Sequence, residues 1–450
     1  MLPTLAAPSI TPDYYDDYID FAALALQDAD FAKVCGANDG KVDLQDPKAL
    51  QQLTKSLLKR DFGLAIELPD DRLCPPVPVS QTYILMIRYN YVHWVQELLD
   101  TTSDNYDDTY DPSRRVFGID IGTGASAIYP LLFASTRPNY RLLATELDST
   151  SHASAAHNIT LNNLSSRIRL HQPPSATAPL LPLDDLSLSH ASFVICNPPF
   201  YASAADLVTS AAAKSSPPHA VCTGADVEMI YAPSFGSSGE YDRNPGGDVG
   251  FCFRIVEESV GLQERVQWFT CMMGRLESVG KVVARLKEVG VRNWAVRCLR
   301  AGKTRRWAVG WSWGARRPRN DLVRSSLVNI GGVQPFPTEQ AIHAEEKTAE
   351  ELWDTVGRAL NPLDLRLEID AERKTVLGFA EKNVWSRAAR RKRAREGDED
   401  SSKEAQDEEV ALGFRIKVNE GNLDIRWLEG MEEKLFESFM GMLQRAIHPR

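Results

Sequence analysis

The chain has 450 residues, 43% hydrophobic and 25% charged, enough for a full globular core with length left for a second domain. A formal charge of -10 excludes indiscriminate nucleic-acid binding, so contact with a polyanion must come from a local basic face. Seven cysteines with no CxxC or CxxH spacing read as reduced, mostly buried thiols and not as a metal site, and there is neither an apolar run of about 18 residues nor a basic-then-apolar leader to predict a membrane span or signal peptide.

In chain order, residues 1–60 read as a helical or extended N-terminal region, with no Lys or Arg and six aspartates in positions 1–32. Val116 to Ile121 then predicts a buried strand that runs through Asp120 into a Gly-rich turn and an apolar helix through Leu132. Gly122 and Gly124 let the backbone turn sharply and approach a ligand with no Cβ in the way. Tyr140 to Thr145 predicts a second strand, closed by Glu146 about two dozen residues past the glycines. At that spacing a Rossmann-like βαβ unit offers a carboxylate to ribose hydroxyls. The third glycine of a dinucleotide fingerprint is missing, which favours a nucleoside over a pyrophosphate. S-adenosyl-L-methionine is the natural candidate, with Asp120, Gly122, Gly124 and Glu146 as its binding residues.

The apolar run Ala191 to Cys196 ends in Asn197-Pro198-Pro199-Phe200, the most informative element of the chain. An exocyclic base amine is a poor nucleophile because its lone pair is delocalised into the ring. Two acceptors, the amide oxygen of Asn197 and the backbone carbonyl of Pro198, would draw that nitrogen toward sp3 and aim the lone pair. The prolines fix φ and donate nothing that competes. Phe200 and Tyr201 offer rings on which a flipped base stacks. A strand ended by a proline-stopped turn is the bland alternative. Direct transfer from an activated donor needs no nucleophilic side chain, and Ser126 lies outside a G-x-S-x-G elbow.

Arg285 to Arg319 supplies the local basic face, interleaved with Trp294, Trp307, Trp311 and Trp313. Alternation over Trp307 to Trp313 assigns most of those rings to strand core. Beyond Trp313, residues 320–344 read as linker, with a short strand expected within Asn320 to Pro337. An accessory α+β domain over 345–450 then follows the order helix, two strands, charged loop 386–409, two strands, helix, with the loop disordered by composition. Arg387, Arg390, Arg391, Lys392, Arg393 and Arg395 read as either a nuclear import signal or a solvated run.

Taken together in this order, Asp61 to Leu64, Arg88-Tyr89-Asn90-Tyr91-Val92-His93-Trp94, Gly118 to Ser126, Ala144 to Glu146, Cys196 to Phe200 and Gly302 to Ala308 resemble the methyltransferase-like 16 family over roughly Asp61 to Trp313. That resemblance implies an α/β, Rossmann-like class I S-adenosylmethionine-dependent methyltransferase domain over 61–319. It further implies RNA adenine-N6 methylation, with U6 small nuclear RNA or a similar structured RNA as substrate, no metal, and action in the nucleus or the cytoplasm. It assigns Arg88 to the methionine carboxylate of the cofactor, Gly122 to the cofactor turn, Glu146 to ribose, Thr177 to cofactor contact, Asn197 to the target amine, and Lys303 and Arg306 to RNA. Lys303 stands where the family usually carries arginine, which keeps the charge but loses the bidentate fork. The acidic N-terminus departs from the family's basic arm. Val79 to Ile87 interrupts the passage to Arg88 and reads as an untrimmed intron, and Tyr231 to Pro245 reads as a similar insertion. The C-terminal order resembles a kinase-associated-1-like module. A protein-glutamine methyltransferase and a catalytically silent RNA-binding protein remain as alternatives.

Overall fold

The computed structural model describes residues 20–36, 42, 46–69, 83–212, 229–232, 245–301, 304–389, 391 and 410–449. These form two compact units, one from the described residues of Met1–Leu99, Tyr110–Trp313 and Ser325–Val333, the other from those of Asp100–Thr109, Gly314–Arg324 and Gln334–Arg450.

Among the described residues, four helices precede the first strand: α1 (Phe21–Gln27), α2 (Ala29–Gly36), α3 (Pro47–Phe62) and α4 (Tyr83–Thr101). Local chemistry sets the ends of α3. Asp46 accepts from the Lys48 amide at its start, Pro47 opens its first turn, and Gly63 closes it in the left-handed region at φ 65°. The last residues of the interrupting segment open α4, in unbroken helix with Arg88, and Ile87 is buried; Val79 to Thr82 lie outside the described residues.

The first unit alternates β1 (Val116–Ile121), α5 (Ile128–Thr136), β2 (Tyr140–Thr145), α6 (Ser149–Leu161), β3 (Ile168–His171), β4 (Ala191–Cys196), α7 (Ala204–Ala212), α8 (Gly247–Leu262), β5 (Val266–Met273), α9 (Leu276–Glu288), β6 (Asn293–Ala301) and β7 (Thr304–Ser312). Its sheet has the order β3-β2-β1-β4-β5-β7-β6. The first five strands of the chain pair in parallel, and β7 is antiparallel to both β5 and β6. Burial on both faces explains why β1 and β4 read as near-continuous apolar runs. Trp311 is fully buried and Trp294 nearly so, while Trp307 and Trp313 are half-buried and pack against the same core.

Ile121 stands opposite Thr145 of β2 on one side and Cys196 of β4 on the other. The next residue of each strand, Gly122, Glu146 and Asn197, therefore leaves the sheet at one level, from neighbours about 4.8 Å apart. The strand order reverses between β1 and β4, so this carboxyl-end crevice is the topological switch point at which α/β sheets bind ligands. Beneath it, a Cβ on Gly118 would come within 2.1 Å of the Phe193 ring, itself packed 4.5 Å from Phe133. Gly118→Ala is expected to cost about 1–3 kcal/mol through overpacking, read as a lower melting temperature with no new ligand phenotype at the crevice.

The second unit holds α10 (Asn320–Val323), β8 (Glu339–His343), α11 (Ala349–Leu360), β9 (Arg366–Asp370), β10 (Thr375–Ala380), β11 (Leu412–Asn419), β12 (Asn422–Glu429) and α12 (Glu433–Ile447). A five-stranded antiparallel sheet of order β8-β12-β11-β10-β9 packs against α11 and α12 around Trp427, Phe414 and Phe436. Thr348 and Glu351 cap α11 reciprocally. β8 lies in the stretch read as linker, where only Ile342 of its five residues is buried and the period-2 signal is correspondingly weak. Most of 386–409 lies outside the described residues.

Candidate active site

The crevice is built from three turns. After β1, Gly122 and Gly124 adopt φ 68° and 66°, and nothing lies within 4 Å of where a Cβ would stand on either. The turn is fixed by the Thr123 amide donating to the Thr145 carbonyl at 2.9 Å and by the Gly124 amide donating to Glu146 Oε2 at 2.9 Å. The other oxygen of Glu146 accepts from the Asp148 amide at 2.9 Å. Burial raises the Glu146 carboxyl above its ordinary range, opposed by these backbone amides. Because that space is open, Gly122→Ala should fold with only about 1–2 kcal/mol of left-handed backbone strain but place a methyl group where the ligand approaches. Calorimetry should find cofactor binding weakened by far more than the melting temperature falls.

Asp120, at the end of β1, is fully buried, and neither of its carboxylate oxygens has a hydrogen-bond partner. Burial pushes its pKa up to about 7, with the Glu146 charge acting in the same direction and the Arg88 guanidinium against it. Arg88 projects from α4 with its guanidinium 5.7 Å from the centre of the Tyr129 ring. Tyr91, three residues on, anchors α4 over the strand ends by donating to Thr270 Oγ1 at 2.9 Å and the Cys196 carbonyl at 3.3 Å. Asn90 Oδ1, Thr123 Oγ1 and the Tyr129 hydroxyl are likewise buried without a hydrogen-bond partner.

On the other side of the crevice Asn197 Oδ1 is also buried without a partner, and Pro198 is buried. Buried polar atoms without partners are uncommon and costly, so a concentration of them on the two strand ends of a crevice marks a ligand's hydrogen-bonding surface. The acceptors at Asp120 and Asn197, the cation at Arg88 and the open glycine turn fit S-adenosylmethionine, which carries an ammonium, a carboxylate, ribose hydroxyls and a base.

Arg306, from β7, comes to the same turn. Its guanidinium lies 5.5 Å from the centre of the Phe200 ring. Burial lowers its pKa, opposed by Tyr201 and Asp248. Tyr201 pairs its backbone with Met229 and Tyr231 at 3.0 and 2.9 Å, and the Gly247 amide donates to the Tyr231 carbonyl at 2.8 Å. Tyr231 opens the second expected insertion, most of which lies outside the described residues, as does Lys303.

Thr177 is exposed, its hydroxyl 3.0 Å from that of Ser175, in a loop held by Arg254 and Glu258 two and three turns along α8. Three residues went unnoticed in the sequence. Asn158 of α6 is fully buried and donates to the carbonyls of Ala125 at 3.0 Å and Glu67 at 2.8 Å, tying the glycine turn to the segment after α3. Asp248 accepts from the Gly274 amide at 2.7 Å and from Ser278 Oγ at 3.1 Å, and Gly274 abuts Phe200. A polar residue inside a helix and a glycine after a strand carry no local mark of such partners.

A family model described as RNA methyltransferase matches residues 8–315. The U6 small nuclear RNA (adenine-(43)-N(6))-methyltransferase of Schizosaccharomyces pombe is 34% identical over 410 residues, covering 91% of this chain and 96% of that protein. Human RNA N(6)-adenosine-methyltransferase METTL16 is 36% identical over 305 residues, covering 67% of this chain and 49% of that protein. The chain thus matches about half the length of the human relative. Among solved structures, the METTL16 catalytic domain in complex with the MAT2A 3'UTR hairpin 1 superposes with a TM-score of 0.54 at 34% identity, covering 67% of this chain and 93% of that one. The N-terminal domain of human METTL16 in complex with SAH gives 0.50 at 32% identity, covering 67% and 96%. By the family-model match and the identity with these relatives, this chain belongs to that family of S-adenosylmethionine-dependent RNA methyltransferases.

Proposed function

We propose that the crevice methylates N6 of an adenosine in a structured RNA, that U6 small nuclear RNA is the substrate class, as in the fission-yeast relative's name, and that the work is nuclear. The single observation that carries this reading is the common level at which Gly122, Glu146 and Asn197 leave adjacent strands. S-adenosylmethionine, when bound, supplies an activated methyl group on a sulfonium. Arg88 holds the carboxylate of its amino-acid end, Asp120 accepts from its ammonium, and Glu146 faces its ribose.

Asn197 Oδ1 and the Pro198 carbonyl accept the two amine protons of the flipped base. The nitrogen lone pair is thereby turned out of conjugation and toward the donor. Phe200 and Tyr201 stack on the base. Arg306, with Lys303 beside it in sequence, neutralises phosphate. The amine proton that leaves after transfer is already acidic, so solvent suffices to remove it. The helix, strand and loop order of the second unit supports an accessory RNA-contacting module of the kinase-associated-1 kind.

Mass spectrometry of nucleosides from U6-like RNA incubated with the protein and methyl-labelled cofactor tests this reading. N6-methyladenosine carrying the label is the expected product. Label in protein with none in RNA would transfer the activity to glutamine amides.

A further inference from the structure

We propose that Gly274, Asp248 and Ser278 form a seat that holds the Phe200 ring in its base-stacking position, making Asp248 and Gly274 positioning residues for methyl transfer. The proposal rests on the reading of Phe200 as the platform for the flipped base.

Four observations converge on this turn. A Cβ on Gly274 would stand 2.9 Å from Phe200 Cδ1 and 3.4 Å from Asp248 Oδ2, so only glycine leaves room for the ring beside the β5 end. Asp248 is buried and uses both oxygens to fix that end, one on the Gly274 amide and the other on the Ser278 hydroxyl at the start of α9. Gly247, at φ 58°, brings the start of α8 so close that a Cβ there would lie 3.1 Å from the Phe200 carbonyl. From the other side Arg306 sets its guanidinium 5.5 Å from the ring centre, attracted by the buried Asp248 charge. The backbone of Phe200 is thus held by α8, one flank of its ring by Gly274, and its π-face by a cation. A base stacking on this ring meets a surface already fixed, and an ångström of misplacement at a transfer site costs on the order of a hundredfold in rate.

The test compares Gly274→Ala, Phe200→Leu and the double variant in the full-length protein, with turnover of a U6-like hairpin, cofactor affinity by calorimetry and melting temperature as readouts. Gly274→Ala is expected to lower kcat by about tenfold to a hundredfold while cofactor affinity stays within about twofold of the parent. Phe200→Leu should lower kcat similarly, and adding Gly274→Ala to it should change little, because the ring that the methyl group displaces is gone. Should Gly274→Ala prove too unstable to assay, Asp248→Asn, which keeps the side-chain shape, should show the same loss of kcat at retained cofactor affinity. Losses that multiply in the double variant, or full turnover in Gly274→Ala or Asp248→Asn beside an impaired Phe200→Leu, would overturn the seat alone. Full turnover in Phe200→Leu would instead remove the stacking reading and the seat with it.

Discussion

Asn197→Ala is expected to lower methyl transfer by about 10²–10³-fold, comparable to the loss of one preorganised hydrogen-bonding group in other transfer sites. The side-chain oxygen does its work only when the target amine is present, since in the protein alone it is buried and makes no hydrogen bond. Removing it therefore deletes no hydrogen bond of its oxygen in the folded chain, and relieves an unsatisfied buried acceptor worth about 1–3 kcal/mol. The melting temperature should hold or rise slightly and cofactor affinity should fall only modestly, while kcat collapses. Single-turnover assays with saturating RNA and cofactor separate these quantities. Joint loss of folding and RNA binding in this variant would contradict the role given to Asn197, and so would near-parental turnover.

Asp120→Asn should produce the opposite pairing, a more stable protein that binds the cofactor less well. In the unfolded chain the carboxyl ionises near the ordinary 3.8, whereas in the fold its pKa stands at about 7. The folded state thus binds the extra proton between these values, so stability falls as pH rises through this window and the full cost is present above about 7. Asparagine removes the charge without changing the shape. The variant should gain about 2–4 kcal/mol of stability at pH 8 over the parent, an advantage that shrinks toward pH 4. Cofactor affinity should fall by about tenfold to a hundredfold, the worth of one hydrogen bond to a charged group. Paired melting curves from pH 4 to 8 give the first number and calorimetry the second. An unchanged stability difference across that range would mean that Asp120 is not held as a buried, partnerless carboxylate.

The two effects share one cause. A crevice whose acceptors are aimed at a ligand leaves them unpaired when the ligand is away, and the fold carries that cost in exchange for preorganisation.

Sequence reading reached the parts of this site that are local in the chain. The strand ends at Ile121, Thr145 and Cys196 were visible because each is a buried run stopped by Gly, Glu or Asn-Pro-Pro. Glu146 and Asn197 could be placed with Gly122 because parallel neighbours deliver their ends to one edge. Arg306 was reached through its place after Lys303 and by family likeness. The alternation around it correctly gave Trp311 to the core.

The supports were not legible, because they join distant segments. Asn158 meets Glu67 across 91 positions and Asp248 meets Gly274 across 26, with no periodicity to announce either pairing. The loop that carries Thr177 is held by Arg254 and Glu258 of α8, a contact its own residues do not encode. In the second unit β8 escaped a clear reading because a sheet-edge strand with one buried side chain has almost no hydrophobic pattern.

A crystal structure of the protein with S-adenosylhomocysteine tests the central claim most directly. The account predicts the ligand's ribose against Glu146 and the Gly122–Gly124 turn, its amino-acid end between Arg88 and Asp120, and its sulfur turned toward Asn197. A ligand bound away from that turn, or an Asn197 side chain directed out of the crevice in the complex, would contradict it.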